Sequence, residues 1–171
     1  FLRQAVEQRY MSTELAARAA HLAIADHFEQ HDADTRQAEE LPFQLRAAEA
    51  WDRLEALLLD LDRFELLRAR GDSEMLSYWL PLKERGADLE ALLCAGFGVK
   101  AGANATWSEQ AIDLAFALDN FFSFAGARGS ECLNLAKART AACERLFGSE
   151  HPNTLASINN LSETMSERGE N

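Results

Sequence analysis

The stretch "RLFGSEHPNTLASINNL", Arg145 to Leu161, decides how this chain folds. Gly148 is suited to ending one helix, Pro152 to opening the next, and polar residues fill the gap between them. The second helix then places Asn159 and Asn160 side by side, although asparagine is a poor helix former. Leu155, Ile158, Leu161 and Met165 recur at i, i+3, i+6 and i+10, an apolar stripe of the kind a helix buries. Asparagines beside such a stripe call for a reason.

The whole chain sets the bounds. It has 171 residues, of which 47% are hydrophobic, enough for one domain or a short array with a buried core. Alanine and leucine dominate while glycine and proline are few and clustered, a composition that favours helices. A formal charge of −11 opposes nonspecific attachment to nucleic acid or to an anionic membrane. No run approaches the ~20 apolar residues of a transmembrane helix, and no secretory signal is present. Cys94, Cys132 and Cys143 form no CxxC pair, and their odd count argues against a disulfide framework. A reduced, cytoplasmic setting fits these features.

Helical patterns run through the chain. "STELAARAAHLAIADHFEQH" offers Ser12 or Thr13 as a cap and Leu15, Ala19, Leu22, Ala23 and Phe28 as a buried face. "LPFQLRAAEAWDRLEALLLDLDRFELLRARGDSEMLSYWL" has turn signals at Pro42, Asp60 to Asp62 and Gly71-Asp72, which predict short helices near 42–49, 51–60, 62–70 and 73–85. A further helix is expected over 87–95. "GFGVKAGANAT", 96–106, is the one glycine-rich stretch and reads as a linker between a helical connector, 1–95, and a repeat region, 107–171. Helices near 107–125, 130–147 and 152–168 follow. No sustained alternation predicts a strand.

The first and third of those helices resemble each other. "LDNFFSFAGARG" begins at Leu118 and "INNLSETMSERG" at Ile158, a shift of 40 residues that pairs Asn120 with Asn160, Phe121 with Leu161 and Gly129 with Gly169. A period of this size indicates helical hairpins that stack to bury their apolar faces.

Gly148, His151, Pro152, Thr154, Leu155, Asn159, Asn160 and Leu161 match, in order, the Gly-x-x-His-Pro-x-Thr-Leu link and Asn-Asn-Leu helix of tetratricopeptide repeats (TPRs) of the kinesin-light-chain and nephrocystin-3-like type. The chain resembles that family there. Upstream, "HLAIADHFE" and "ELPFQLRAAEAWDRLEALLLD" resemble the helical connector of STAND-type signal-transduction NTPases. The resemblance implies an all-α, right-handed α-solenoid of helical hairpins with no sheet. It also departs from the pattern in places. Ser162 is the small residue expected where two helices touch, but its counterpart Phe122 is bulky, and Thr140 and Ala142 stand where large apolar residues are usual. The earlier repeat is therefore degenerate.

In such repeats the first helices line a concave surface, and their asparagines hold the backbone of a bound peptide. Asn120 and Asn160 match those positions, with Asn159 beside them. An amide offers donor and acceptor together, as an extended peptide requires. The competing reading has each amide bond a carbonyl of the next helix and only fix packing. For Asn160 both readings stand; for Asn120 the degenerate repeat favours packing.

Other constellations carry less. His27 and His31 sit at i, i+4, but Phe28 replaces the glutamate of a zincin and no third ligand is evident, so they read as a solvent-facing pair. "GFGVKAG" lacks the order of a phosphate-binding loop. Asp60, Asp62 and Glu65 read as capping residues at a helix junction. Trp51, Trp79 and Trp107 read as core anchors, and the three cysteines as small hydrophobes. No catalytic residue, metal site or cofactor is expected.

The function expected is a non-catalytic segment that binds a protein or peptide within a larger signalling protein. The alternatives are a regulatory region of a multidomain enzyme and a structural oligomerisation module. The chain begins at Phe1 and stops just after a helix, so it reads as a piece of a longer protein. Its last helix would lack a partner, and self-association through it, or fraying, is expected.

Overall fold

The computed structural model describes residues 13–31, 34–101, 107–127, 129–167 and 169. The expected "FLRQAVEQRY" helix lies outside them. The described residues form nine helices and no strand: α1 (Glu14–Glu29), α2 (Thr35–Ala47), α3 (Trp51–Leu58), α4 (Phe64–Arg68), α5 (Asp72–Glu84), α6 (Leu89–Ala101), α7 (Glu109–Phe124), α8 (Ser130–Phe147) and α9 (Pro152–Glu167). They group into two compact units that divide between Ala87 and Asp88.

In the first unit α2 is the hub, touching α1, α3, α4 and α5. Thr13 caps α1 through its hydroxyl, which accepts from the Ala16 N–H at 3.1 Å. Asp34 caps α2 in the same way, accepting from the Gln37 N–H at 2.7 Å. That cap places Pro42 inside α2 rather than at a turn. An interior proline costs a helical hydrogen bond, roughly 3 kcal/mol. Here the burial of Ala38, Leu41, Pro42 and Leu45 on one face offsets it. The core continues through Leu54, Leu58, Phe64, Met75, Trp79 and Leu82.

Polar contacts tie this unit's helices together. Buried Gln37 donates to the Phe28 carbonyl at 2.7 Å and the His31 carbonyl at 3.0 Å, closing the open end of α1. It accepts in turn from Arg63 Nη1 at 3.0 Å. Arg53 of α3 reaches Asp26 at 2.8 Å and Glu29 at 2.7 Å on α1, a charge clamp between the two helices.

In the second unit α8 is central and touches α6, α7 and α9. α6 runs through Gly96 and Gly98 to Ala101, into the stretch expected to be a linker. Leu89, Leu93 and Phe97 explain this, since they lie one turn apart and are all buried. Phe97 meets Trp107 edge to face, with centroids 4.9 Å apart. Residues 102–106 lie outside the described part.

The Gly148 to Leu155 link is built by its own side chains. Gly148 has φ +89°, ψ 164°, a conformation essentially restricted to glycine, and it ends α8. The His151 ring stacks on Phe147 at 4.7 Å and accepts the Asn153 N–H at its Nδ1. Pro152 is the first residue of α9, where its missing N–H costs nothing. The buried Thr154 hydroxyl reaches back to the Gly148 carbonyl at 2.8 Å.

Candidate functional site: the α7–α8–α9 face

A buried polar centre joins these three helices. Arg139 of α8 is fully buried; its Nη1 donates to Asp119 Oδ2 of α7 at 2.6 Å and its Nε to Ser157 Oγ of α9 at 3.0 Å. Its guanidinium lies over the Phe116 ring, 4.1 Å from the centroid. The Thr140 hydroxyl lies 2.9 Å from Ser157 Oγ and also donates to the Ala136 carbonyl. Sequence reading missed this centre. Its signal was an arginine set one turn from Leu135, Ala136 and Cys143 in an otherwise apolar row.

Two residues that depart from the expected repeat pattern, Phe122 and Thr140, are accommodated by the packing of these helices. Phe121 and Phe122 are buried, so Phe122, the bulky counterpart of Ser162 in the expected pattern, is absorbed into packing. Thr140 stands where a large apolar residue is usual because it completes the polar centre.

The face of α9 turned to α8 differs from the expected one. Thr154, Ser157 and Thr164 are buried, whereas Leu155 is 50% and Ile158 39% exposed. Leu161 and Met165 are half-buried. The stripe does not rest on α8 because small hydroxylated side chains allow close approach, and Ser157 among them accepts from Arg139 Nε. Leu155 and Ile158 are left to the outer side.

Asn120 and Asn159 are exposed and Asn160 is half-buried. Asn160 falls one turn from both Ser157 and Thr164, at the edge of the buried row, and its carbonyl accepts from the Thr164 hydroxyl at 2.9 Å. Asn120 directly follows Asp119. Both candidates thus stand within a turn of residues in the Arg139 centre. Among the described residues, none of the three asparagine side chains makes a hydrogen bond.

The remaining candidates are distributed elsewhere. The exposed His27 and His31 rings lie 4.6 Å apart, and His31 Nδ1 is 2.7 Å from the His27 carbonyl oxygen. No group of three metal-ligating side chains occurs among the described residues. Asp60 accepts the Asp62 N–H at 3.0 Å and pairs with Arg63, so it shapes its own turn rather than capping α4. Trp79 is buried, Trp107 is half-buried against the Ile112, Ala142 and Cys143 cluster, and half-buried Trp51 carries Arg85 over its ring at 4.9 Å. No described helix is long and apolar enough to cross a membrane.

The architecture defined here is all-helical and like that of tetratricopeptide repeats. The chain is 32% identical over 84 residues to a TPR repeat-containing protein of Dictyostelium discoideum, a match covering 48% of this chain and 5% of that protein. It therefore spans a small fraction of that relative. No protein-family profile matches the chain, and no solved structure matches it.

Proposed function

We propose that the helices α7 to α9 are one degenerate and one partial repeat of a right-handed tetratricopeptide solenoid of the kinesin-light-chain and nephrocystin-3-like type. The segment is non-catalytic and binds a protein or peptide, with Asn160 and Asn159 holding the ligand backbone and Asn120 at the margin. The upstream helices serve as the connector of a cytoplasmic STAND-type signalling protein.

One observation carries the binding reading. The amides of Asn159 and Asn160 make no hydrogen bond among the described residues and stand beside exposed Leu155 and Ile158. Unused amide capacity next to apolar area suits a peptide, whose backbone needs both donors and acceptors and whose side chains need cover. The net charge of −11 favours basic or neutral ligands.

The test is a peptide array spanning acidic, neutral and basic sequences, followed by titration of the best binder against wild type and Asn160→Ala. Affinity should fall about tenfold in the variant, the loss of roughly 1–1.5 kcal/mol that one hydrogen bond contributes. Unchanged affinity would remove Asn160 from the site.

A second reading rests on the same exposed stripe. Leu155 and Ile158 could pair with a second copy of the chain, since burying each fully is worth ~1.5–3 kcal/mol. Sedimentation across a concentration series separates the two: a dimer lost in Ile158→Glu supports self-association, and a monomer throughout opposes it.

A further inference from the structure

His27 and His31 read from sequence as a solvent-facing pair, yet the fold holds them at one cleft in a defined arrangement. The cleft, about 470 Å³, lies where α1 turns into α2, and both imidazoles line it with Ile24, Phe28, Asp34 and Arg36. The two ring centres stand 4.6 Å apart with their planes tilted by 53°. His31 is held from two sides. Its carbonyl accepts from Gln37 Nε2 of α2 at 3.0 Å, and its ring Nδ1 lies 2.7 Å from the His27 carbonyl oxygen. A carbonyl can only accept, so Nδ1 carries the proton and Nε2 of the neutral ring keeps its lone pair. The His27 ring makes no hydrogen bond among the described residues.

The other two histidines are arranged differently. His151 Nδ1 accepts the Asn153 N–H, so in its neutral ring the proton sits on Nε2 and neither lone pair is left for a ligand. His21 Nδ1 lies 2.6 Å from Gln44 Oε1, the amide being oriented by its own donation to Glu40. The ring facing His21 is Phe43, not a second imidazole.

We propose that His27 and His31 chelate one divalent transition cation of the Ni²⁺ or Cu²⁺ type, each through one ring nitrogen, with water completing the coordination. The ring separation carries this reading. A first-row divalent cation lies about 2.0–2.1 Å from an imidazole nitrogen, hence roughly 3.2 Å from the ring centre, so two rings at a right angle on one ion stand roughly 4.5 Å apart and at a tetrahedral angle roughly 5.2 Å. The observed 4.6 Å fits the right angle, which belongs to tetragonal and octahedral sites. The bond from His31 Nδ1–H to a backbone carbonyl is of the kind that orients a ligating ring and raises its basicity. Water in the other positions accords with the lack of a third ligating side chain among the described residues. Asp34 offsets the charge of Arg36 at the cleft, and the chain's −11 draws cations toward it.

The ion has a structural consequence. His27 lies in the last turn of α1 and His31 just beyond the Gln30 cap, so one cation on both rings fastens the α1–α2 link to the helix it leaves. A ligand that binds only this folded arrangement stabilises it.

The experiment titrates NiCl₂ into the untagged native protein by calorimetry, with MgCl₂ as the control, and follows the imidazole signals by NMR. The expected result is one Ni²⁺ per chain and no Mg²⁺, with the His27 and His31 signals broadened before those of His21 and His151. His27→Ala and His31→Ala should each weaken binding at least about 10–100-fold, the range that loss of a mere supporting partner already costs, while His21→Ala leaves it unchanged. Both rings are exposed, so the variants should keep the wild-type circular dichroism. Urea-unfolded protein should bind at least about tenfold more weakly than folded protein, because the ring arrangement is a property of the fold. No Ni²⁺ uptake, binding that survives both alanine variants, or equal affinity in the folded and unfolded chains (an adventitious ion only) would each overturn the proposal.

Discussion

Arg139 Nη1 donates to Asp119 Oδ2 across 2.6 Å, and both side chains are almost wholly withdrawn from water. This pair locks α8 to α7, and Ser157 extends the lock to α9. A buried pair repays its desolvation only when its remaining polar atoms are satisfied, and Arg139 Nη2 is buried with no hydrogen-bond partner among the described residues. The lock therefore specifies which faces meet more than it adds stability.

Removing one partner strands the other. Asp119→Ala should cost about 3–5 kcal/mol in denaturant unfolding, because a buried guanidinium loses its counter-charge. The double change Asp119→Leu with Arg139→Met should recover most of that loss. A single variant as stable as wild type would show that the pair is not buried in solution.

Asn160 should behave oppositely in stability. Its side chain makes no hydrogen bond among the described residues, and alanine is the better helix former by up to ~0.7 kcal/mol. Asn160→Ala should leave the melting temperature unchanged or slightly raised. A clear drop would revive the packing reading.

Gly148 holds a backbone conformation that side chains avoid, φ +89° with ψ 164°. Gly148→Ala should cost roughly 1–3 kcal/mol, even though a Cβ there would meet nothing within 4 Å. Equal thermal stability of the two proteins would show that the link can reroute.

Tyr78 gives a pH dependence with a definite sign. Burial, and then Glu74, which its hydroxyl meets at 3.5 Å, raise its pKa above the ordinary 10.0. The folded state thus holds the phenolic proton more tightly than the unfolded chain. The associated stability is fully present below the unfolded pKa and is lost as pH rises through the folded one. Tyr78→Phe should remove part of the alkaline loss of stability, measured by urea unfolding between pH 8 and 11. Parallel curves for the two proteins would contradict this.

Local chemistry was legible in the residues. Thr13 and Ser108 cap helices with their own hydroxyls, and Gly71 and Gly148 break helices at positive φ. The Gly148–His151–Pro152–Thr154 link makes its contacts within a few positions, so the sequence alone determined that α8 ends and α9 begins there. The all-helical class follows from such local signals, because helical hydrogen bonds and caps involve near neighbours.

Tertiary structure decided what no single segment could. An apolar stripe predicts that a helix has a preferred face but not which neighbour accepts it, and α9 buried Thr154, Ser157 and Thr164, with Ser157 on Arg139, while leaving Leu155 and Ile158 exposed. Pro42 became helical because the packing of α2 outweighed a lost hydrogen bond, and α6 continued past Gly96 because Phe97 found Trp107. The Asp119–Arg139 pair and the Arg139–Ser157 bond likewise join residues distant in sequence. Their partners are fixed by how helices dock, a choice set by the summed fit of many side chains rather than by the pattern of any one helix.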